Sequence, residues 1–404
     1  MTAAIHDTPH AWGRLALSLA TACVANVGMW APIVVMPAME AEFGTDRGTV
    51  SLAYTVTMAG FALGTLLIGR WVDRVGIAPC LAAAACLMGA GYALAAISPS
   101  ISIVIALHAA IGFGAATGFG PLVADVSHWF LRRRGIAMAI AASGNYLSGA
   151  IWPLLLAGVQ AEHGWRGAYL ALAVIVPALV LPLSLTLRRR VTEESWRAAD
   201  AAAALRARTT GLSPKTLTIL LFVAGIACCV AMSMPQVHIV AYCVDLGYGP
   251  AAGAEMLSLM LLGGVVSRLV SGFLADRLGG LKTLLLGSAL QTLALVLFLP
   301  SDALVSLYLV SAIFGLAQGG IVPAYAIIVR EYLPAREAGA RVGIVTFATI
   351  AGMALGGWMS GAIHDATGSY LYAFLNGIGW NVLNLAIVAA LLGLSRPRRQ
   401  PLAA

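Results

Sequence analysis

The chain has 404 residues, 60% of them hydrophobic and only 10% charged, with a mean hydropathy of +0.90. Soluble domains are about a quarter charged, so this composition excludes an ordinary soluble globular protein and belongs to a polytopic membrane protein. The formal charge of +7 invites a nucleic-acid reading, which the placement of the basic residues excludes below.

A bilayer span needs about 20 mostly apolar residues. Such runs occur near 14–37, 50–70, 78–97, 101–124, 135–158 and 167–187. They recur near 215–241, 254–275, 281–300, 303–327, 340–363 and 370–394. The pattern predicts an all-α membrane protein of twelve transmembrane helices, six on each side of the polar stretch 188–214. Residues 1–190 are read as one six-helix bundle, 191–214 as a cytoplasmic linker and 215–404 as a second six-helix bundle. The first apolar run is too long for a signal-peptide core and lacks a convincing cleavage site, so it is read as the first span. The six cysteines lie almost entirely inside apolar runs and lack CxxC spacing, which fits packing rather than metal or redox chemistry.

Orientation follows from the basic residues of the short loops. With the N-terminus inside, the cytoplasmic loops hold Arg70, Arg74, Arg132, Arg133, Arg134, Arg277, Lys282, Arg330, Arg336 and Arg341, and the opposite side only Arg47 and Arg166. Both termini are therefore expected in the cytoplasm. The +7 is a topology charge, not a nucleic-acid footprint.

The chain also repeats itself. "GRWVDRVG" (69–76) follows the second span and "GFLADRLG" (272–279) follows the eighth, an offset of 203 residues (272 − 69). The same offset relates "IGFGAA" from Ile111 to "FGLAQG" from Phe314. Two duplicated six-span halves with a site between them at the midplane describe a common secondary-transporter architecture.

The G-x-x-x-D-R-x-G loop in both copies resembles the signature of the major facilitator superfamily. The N-terminal copy departs from it with Ala78-Pro79, where basic residues are usual. "MPAMEAEFGTDRGTVSLAYT", "HWFLRRRGIAMAIAASG", "EHGWRGAYLALA" and "VHIVAYCVDLGY" are similar to the bacterial monocarboxylate and oxalate/formate branch. The likeness covers nearly the whole chain. It implies alternating-access, proton-coupled transport of a small organic monocarboxylate across a bacterial inner membrane by a monomer without cofactor. The partners so implied are the organic anion, protons and the lipid bilayer.

Within the repeated loop, Gly69, Asp73, Arg74 and Gly76, with Gly272, Asp276, Arg277 and Gly279, read as a conformational latch in which the carboxylates accept bonds from helix N-termini and nearby arginines. The plain alternative is a pair of tight polar turns.

Arg268 is the principal site candidate. It lies eight residues before Asp276, about 12 Å along a helix, which places it near the middle of a hydrocarbon core of about 30 Å. An arginine there costs at least about 2.5–3.5 kcal/mol, so it calls for a function. Its neighbours at i−4 and i+4 are Gly264 and Gly272, flanked by Ser267 and Ser271, a small and polar stripe suited to a cavity wall. The residue at the matched position in the first half (268 − 203) is Thr65, so the framework is duplicated and the arginine is not. A guanidinium stays charged and matches a carboxylate bidentately. The alternative is pairing to a buried acid, and only Asp125 lies inside the apolar part of another span. In the resembling family an eighth-span arginine binds the substrate carboxylate, and oxalate-exchanging relatives add a lysine in the eleventh span. Here that span has no Lys or Arg after Arg341, which points to a single carboxylate.

His108 reads either as a carrier of the coupling proton or as a neutral histidine hydrogen-bonded in the bundle. Asp125 reads as a proton site or, one turn from the cytoplasmic end, as a partner of loop arginines. His238, near the outer mouth, reads as a gate, a proton site or an interfacial residue. Asn26, Trp30, Phe119, Asn145, Tyr146, Gln318 and Tyr325 are candidates to line the cavity. Each has helix packing as its alternative, with such hydrogen bonds worth only about 0.6 kcal/mol on average. Trp12, Trp165 and Tyr370, near span ends, are read as interfacial anchors.

Two other functions fit the architecture: an organic-anion exchanger of the oxalate/formate type, and an exporter of hydrophobic metabolites or drugs. "SGNYLSGAIWP" lacks the Gly-Pro-rich pattern of many exporters. No HExxH, GxSxG or paired intramembrane carboxylates provide for an enzyme.

Overall fold

The computed structural model describes residues 7–127, 129–130, 133–188, 208–333 and 335–397. Residues 191–207 of the expected linker lie outside them. Among the described residues, eleven helices are long and apolar enough to cross a membrane. One of them, Arg134–Thr186, is long enough for two passes and turns at Gly164, whose φ of 69° suits a residue without Cβ. The described residues therefore make twelve passes, as the apolar runs predict. In lipid every backbone polar group must be satisfied within the protein, and uninterrupted helices do this locally.

In chain order, Pro9–Ala25 and Val27–Phe43 form a first span bent at Asn26. Arg47–Val75 is the second and Ile77–Ala96 the third. The fourth is broken: Ile101–Ala115, a 3-10 turn at Ala116–Gly118, then Gly120–Ser127. The two limbs of Arg134–Thr186 are the fifth and sixth. Pro214–Asp245 is the seventh, Gly249–Leu278 the eighth and Gly280–Phe298 the ninth. The tenth is broken into Leu304–Gln318 and Ile321–Tyr332. Ala335–Thr367 and Tyr370–Leu394 complete the set. Side chains chosen by sequence start several of these helices: Asp46, Ser100, Ser213 and Ser369 each accept a bond from a first-turn N–H. The Thr49 N–H in particular holds the Asp46 carboxyl below its ordinary range. A two-residue bridge pairs Arg208–Thr209 with Arg396–Pro397.

The repeat seen in the sequence is also a repeat of packing. A Cβ on Gly60 would meet the Ala109 carbonyl and one on Gly112 the Thr57 carbonyl, so the second and fourth spans touch backbone to backbone. A Cβ on Gly263 would meet the Ala312 carbonyl and one on Gly315 the Met260 carbonyl, so the eighth and tenth do the same. All four residues of each set are related by 203. Small residues at such crossings let membrane helices approach closely. The breaks match as well: the first limb of the fourth span ends at Ala115 and that of the tenth at Gln318, again 203 apart.

The halves 9–187 and 214–394 meet along two seams, the second span against the eleventh and the fifth against the eighth. The face opposite the chain termini, here the far face, is closed by a polar cluster drawn from both halves. Arg47, 6% exposed, is gripped by Glu40 (2.9 and 3.2 Å) and by Asp245 of the seventh span (2.5 and 3.1 Å). It also donates to the Tyr370 hydroxyl at 3.1 Å. Asp365 of the eleventh span accepts from the Arg47 and Gly48 amides, capping the second span from the other half. His364 lies 3.4 Å from Asp245.

Two expectations are corrected here. Tyr370 and Trp165 are buried rather than interfacial anchors: Tyr370 sits inside the far-face cluster, and the Trp165 indole donates to Glu42. A buried hydroxyl or indole needs a partner for its polar atom, and here a charged side chain supplies it in place of the headgroup region.

Candidate functional site

Arg268 enters the seam between halves from the eighth span and is 4% exposed. Its Nη1 donates to the Ala142 carbonyl of the fifth span at 2.5 Å, and its Nε to the Gly319 carbonyl at 3.2 Å. The guanidinium carbon lies 4.1 Å from the centre of the Tyr146 ring. The Gly319 carbonyl is free to accept because the tenth span breaks there, leaving it outside the helical ladder. The Tyr146 ring reaches the arginine because Gly264 leaves room, a Cβ there falling 3.2 Å from that ring. No carboxylate pairs with Arg268 among the described residues.

The other two arginines buried in the bundle differ. Arg14, also 4% exposed, holds Asp125 through Nε and Nη2, both at 3.0 Å, and reaches the Leu187 carbonyl. Asp125 is thus paired with an arginine of the first span, not with loop arginines as the sequence led us to expect. Arg47 has its two acids on the far face. Thr65, the counterpart of Arg268 by the repeat, turns its hydroxyl onto its own helix at Phe61.

Tyr146 is the expected site residue that touches Arg268 directly. Asn145 and Trp30 stand behind it: the Trp30 indole donates to the Asn145 carbonyl (3.1 Å) and side-chain oxygen (3.2 Å). Gln318 precedes the Gly319 carbonyl and accepts from Gln236 of the seventh span at 2.5 Å. Gln236 is a residue the sequence reading missed, for nothing but its polarity inside an apolar run marked it.

The remaining candidates lie elsewhere. Asn26 bonds the Ala22 and Gly118 carbonyls, bracing the bend of the first span against the break of the fourth. Phe119 lies at that break, with its ring 6.4 Å from Phe61. Tyr325 donates to Asn384, which joins Asn381 and Ser288 in a buried network inside the second half. His108 uses both ring nitrogens within the first half, on Val104 O (2.8 Å) and the Tyr169 hydroxyl (2.9 Å). His238 bonds Tyr370 (3.0 Å) and the Gly357 carbonyl (2.7 Å), so it joins the far-face cluster.

In the repeated loops, Gly76 and Gly279 have matching conformations, φ/ψ of 92°/168° and 83°/164°. The Asp73 and Asp276 side chains lie outside the described part. Arg74 is exposed, and Arg277 stacks on Phe273. Gly69 and Gly272 have open space around them. In the second half, Glu331 caps the ninth span by accepting from the Gly280 amide at 3.0 Å.

A cleft lined by Val266, Val270, Leu286 and Leu290 runs between the eighth and ninth spans. Those side chains are exposed on the apolar outer surface, so it faces lipid and does not reach the guanidinium. Among the described residues no three His, Cys, Asp or Glu side chains converge to hold a metal ion.

The fold and site define a class: a multi-pass membrane protein of two repeated six-span halves, with broken helices and an acid-free arginine where they meet. The sequence profile of the Major Facilitator Superfamily matches residues 18–306 and again 221–404. The chain belongs to the Major Facilitator Superfamily and is a transporter of that family. Among its relatives, monocarboxylate transporter 13 of Rattus norvegicus is 26% identical over 344 residues, 83% of this chain and 78% of that protein. An agnestins efflux protein of Paecilomyces divaricatus is 25% identical over 236 residues, 58% of this chain and 52% of that one. A crystal structure of a peptide transporter, POT, has a TM-score of 0.72 at 16% identity, covering 95% of this chain and 94% of that one. That structural likeness speaks for the fold alone.

Proposed function

We propose that the protein moves a small organic monocarboxylate across the membrane by alternating access, with Arg268 as the group that binds the carboxylate. One observation carries this reading. Among the described residues three arginines are buried in the bundle: Arg14 and Arg47 meet carboxylates of the protein, whereas Arg268 meets backbone carbonyls and Tyr146. A buried guanidinium without an anion is left short of its strongest partner, and a substrate carboxylate supplies it. The monocarboxylate transporter among the relatives agrees with this chemistry. Among the described residues no second buried cation stands beside Arg268, which favours one carboxylate over two.

The two halves act as the moving units, rocking about the bound anion. On the basic-loop asymmetry, the chain termini lie in this reading on the cytoplasmic side of the plasma membrane, with the far-face cluster toward the outside. Protons couple at the far-face cluster: His238 touches residues that join the halves, whereas His108 and Asp125 are occupied within the first half. Anion exchange and export use the same site and differ only in what drives it. The efflux protein among the relatives keeps export as the second reading.

A thermal-shift screen of small carboxylates tests the site on wild type and Arg268→Gln. A binding monocarboxylate raises the wild-type melting temperature and leaves the variant unmoved. Equal stabilisation of both removes Arg268 from the site. Uptake into proteoliposomes, faster with an acidic outside, then separates proton symport from exchange or export.

A further inference from the structure

The cleft between the eighth and ninth spans takes no part in transport as proposed above. It measures about 160 Å³ and is floored by Leu316 and Ala317 of the tenth span. A cavity of about 150 Å³ holds a benzene-sized molecule, so a stretch of a hydrocarbon chain fits here and a whole lipid does not. Its wall residues Val266, Val270, Leu286 and Leu290 are exposed. A groove open to the bilayer core is covered by acyl chain, because that solvent offers nothing else.

The ends of the two walls select the lipid. On the eighth span, Val266, Val270, Phe273 and Arg277 recur at i, i+4, i+7 and i+11, one face of a helix. The Arg277 guanidinium carbon lies 4.1 Å from the centre of the exposed Phe273 ring, which holds the cation along that face. On the ninth span, Lys282 precedes Leu286 by four residues and Leu290 by eight, again one face. Both cations are exposed, and both stand on the face of the chain termini. From Val266 to Arg277 is 11 residues (277 − 266), about 16 Å of helix. That is half of a hydrocarbon core of about 30 Å, so the groove runs from headgroup depth to the midplane. The neighbouring carboxylate, Glu331, accepts from the Gly280 amide.

The repeat sets this groove apart from its counterpart. Subtracting 203, Leu274 and Leu316, which line the cleft, become Trp71 and Phe113, whose rings lie 6.0 Å apart. Lys282 becomes Pro79. The first half thus has an aromatic pair and no lysine where the second has the groove and its cation.

We infer that the groove is a binding site for one anionic phospholipid of the leaflet on the terminus side. Arg277 and Lys282 hold its phosphate, and one acyl chain lies between the walls from Leu274 to Val266. A phosphatidylcholine also carries a phosphate, but its trimethylammonium adds a positive charge beside two cations. A phosphatidylglycerol adds none, so the anionic lipid is preferred.

The test incubates the purified full chain in detergent with equal amounts of dioleoylphosphatidylglycerol and dioleoylphosphatidylcholine and counts bound lipid by native mass spectrometry. The chains are identical, so only the headgroups compete. Wild type is expected to retain one phosphatidylglycerol several-fold over phosphatidylcholine. Arg277→Gln/Lys282→Gln makes retention of the two lipids equal. Leu286→Trp narrows the groove with both cations in place and lowers phosphatidylglycerol retention several-fold. Arg74→Gln, the match of Arg277 in the first half (277 − 203), keeps the wild-type preference. Equal retention of both lipids by wild type overturns the inference, as does a preference that survives the double variant or Leu286→Trp. A preference lost as fully in Arg74→Gln assigns it to the charge of the whole face and overturns the groove. A wild-type dimer that Leu286→Trp dissolves shows a second copy on the groove and overturns it too. Should the double variant not fold, Leu286→Trp decides.

Discussion

Three arginines in similar burial have three different surroundings, and the surroundings assign their work. Arg14 and Asp125 form a closed pair whose side chains are 3% and 14% exposed, so removing one partner strands the other. Arg14→Met is expected to destabilise the protein by about 3 kcal/mol, and adding Asp125→Leu to recover most of that, since a buried pair costs more to break than to replace. Thermal melts of the single and double variants in one detergent check this. The sequence made Arg268 conspicuous because it interrupts a long apolar run. It hid Arg14, which sits at the start of a run and passes for a flanking topology charge. It also hid Gln236, because an uncharged amide in a helix is ordinary and only the tertiary neighbours show that half of it is unpaired.

At the level of the helix, the repeat was legible to the residue. The offset of 203 read from the D-R-x-G loops reappears in the glycine crossings and in the ends of the broken fourth and tenth spans. Hydropathy located the spans because length and apolarity are physical requirements of the bilayer. It did not locate the breaks, since a 3-10 turn or a Gly-Gly step alters backbone bonding without altering composition. Gly315→Val is expected to destabilise by about 1–3 kcal/mol or more, because its side chain would enter the Met260 carbonyl. Gly112→Val, its counterpart, would enter the Thr57 carbonyl and should cost a similar amount. Unequal losses in chemical denaturation of the two variants would show that the crossings are not equivalent.

For the molecule as a whole, the far-face cluster ties the halves by side chain and by backbone cap. It went unread in the sequence because Arg47, Asp245, Asp365 and Tyr370 are scattered over the second, seventh, eleventh and twelfth spans, each looking like an ordinary loop or interface residue. Arg47→Gln removes both carboxylate grips and should shift the population toward a far-face-open state. In a background without native cysteines, Thr55→Cys, whose parent hydroxyl donates to Ala354 of the other half at 3.0 Å, reports this. Labelling by a membrane-impermeant thiol reagent is expected to rise several-fold when Arg47→Gln is added, and unchanged labelling would remove the cluster from control of that face.

The resting bonds of Arg268 have a kinetic consequence. The guanidinium leans on one carbonyl from each half, Ala142 in the first and Gly319 in the second. An unloaded turnover must pull that cation off Ala142 without an anion to replace the bond. A loaded one offers it a carboxylate first. On the proposed carboxylate reading, the same arginine also sets the leak: slippage without cargo is expected to be slow relative to loaded passage, which protects whatever gradient drives the cycle.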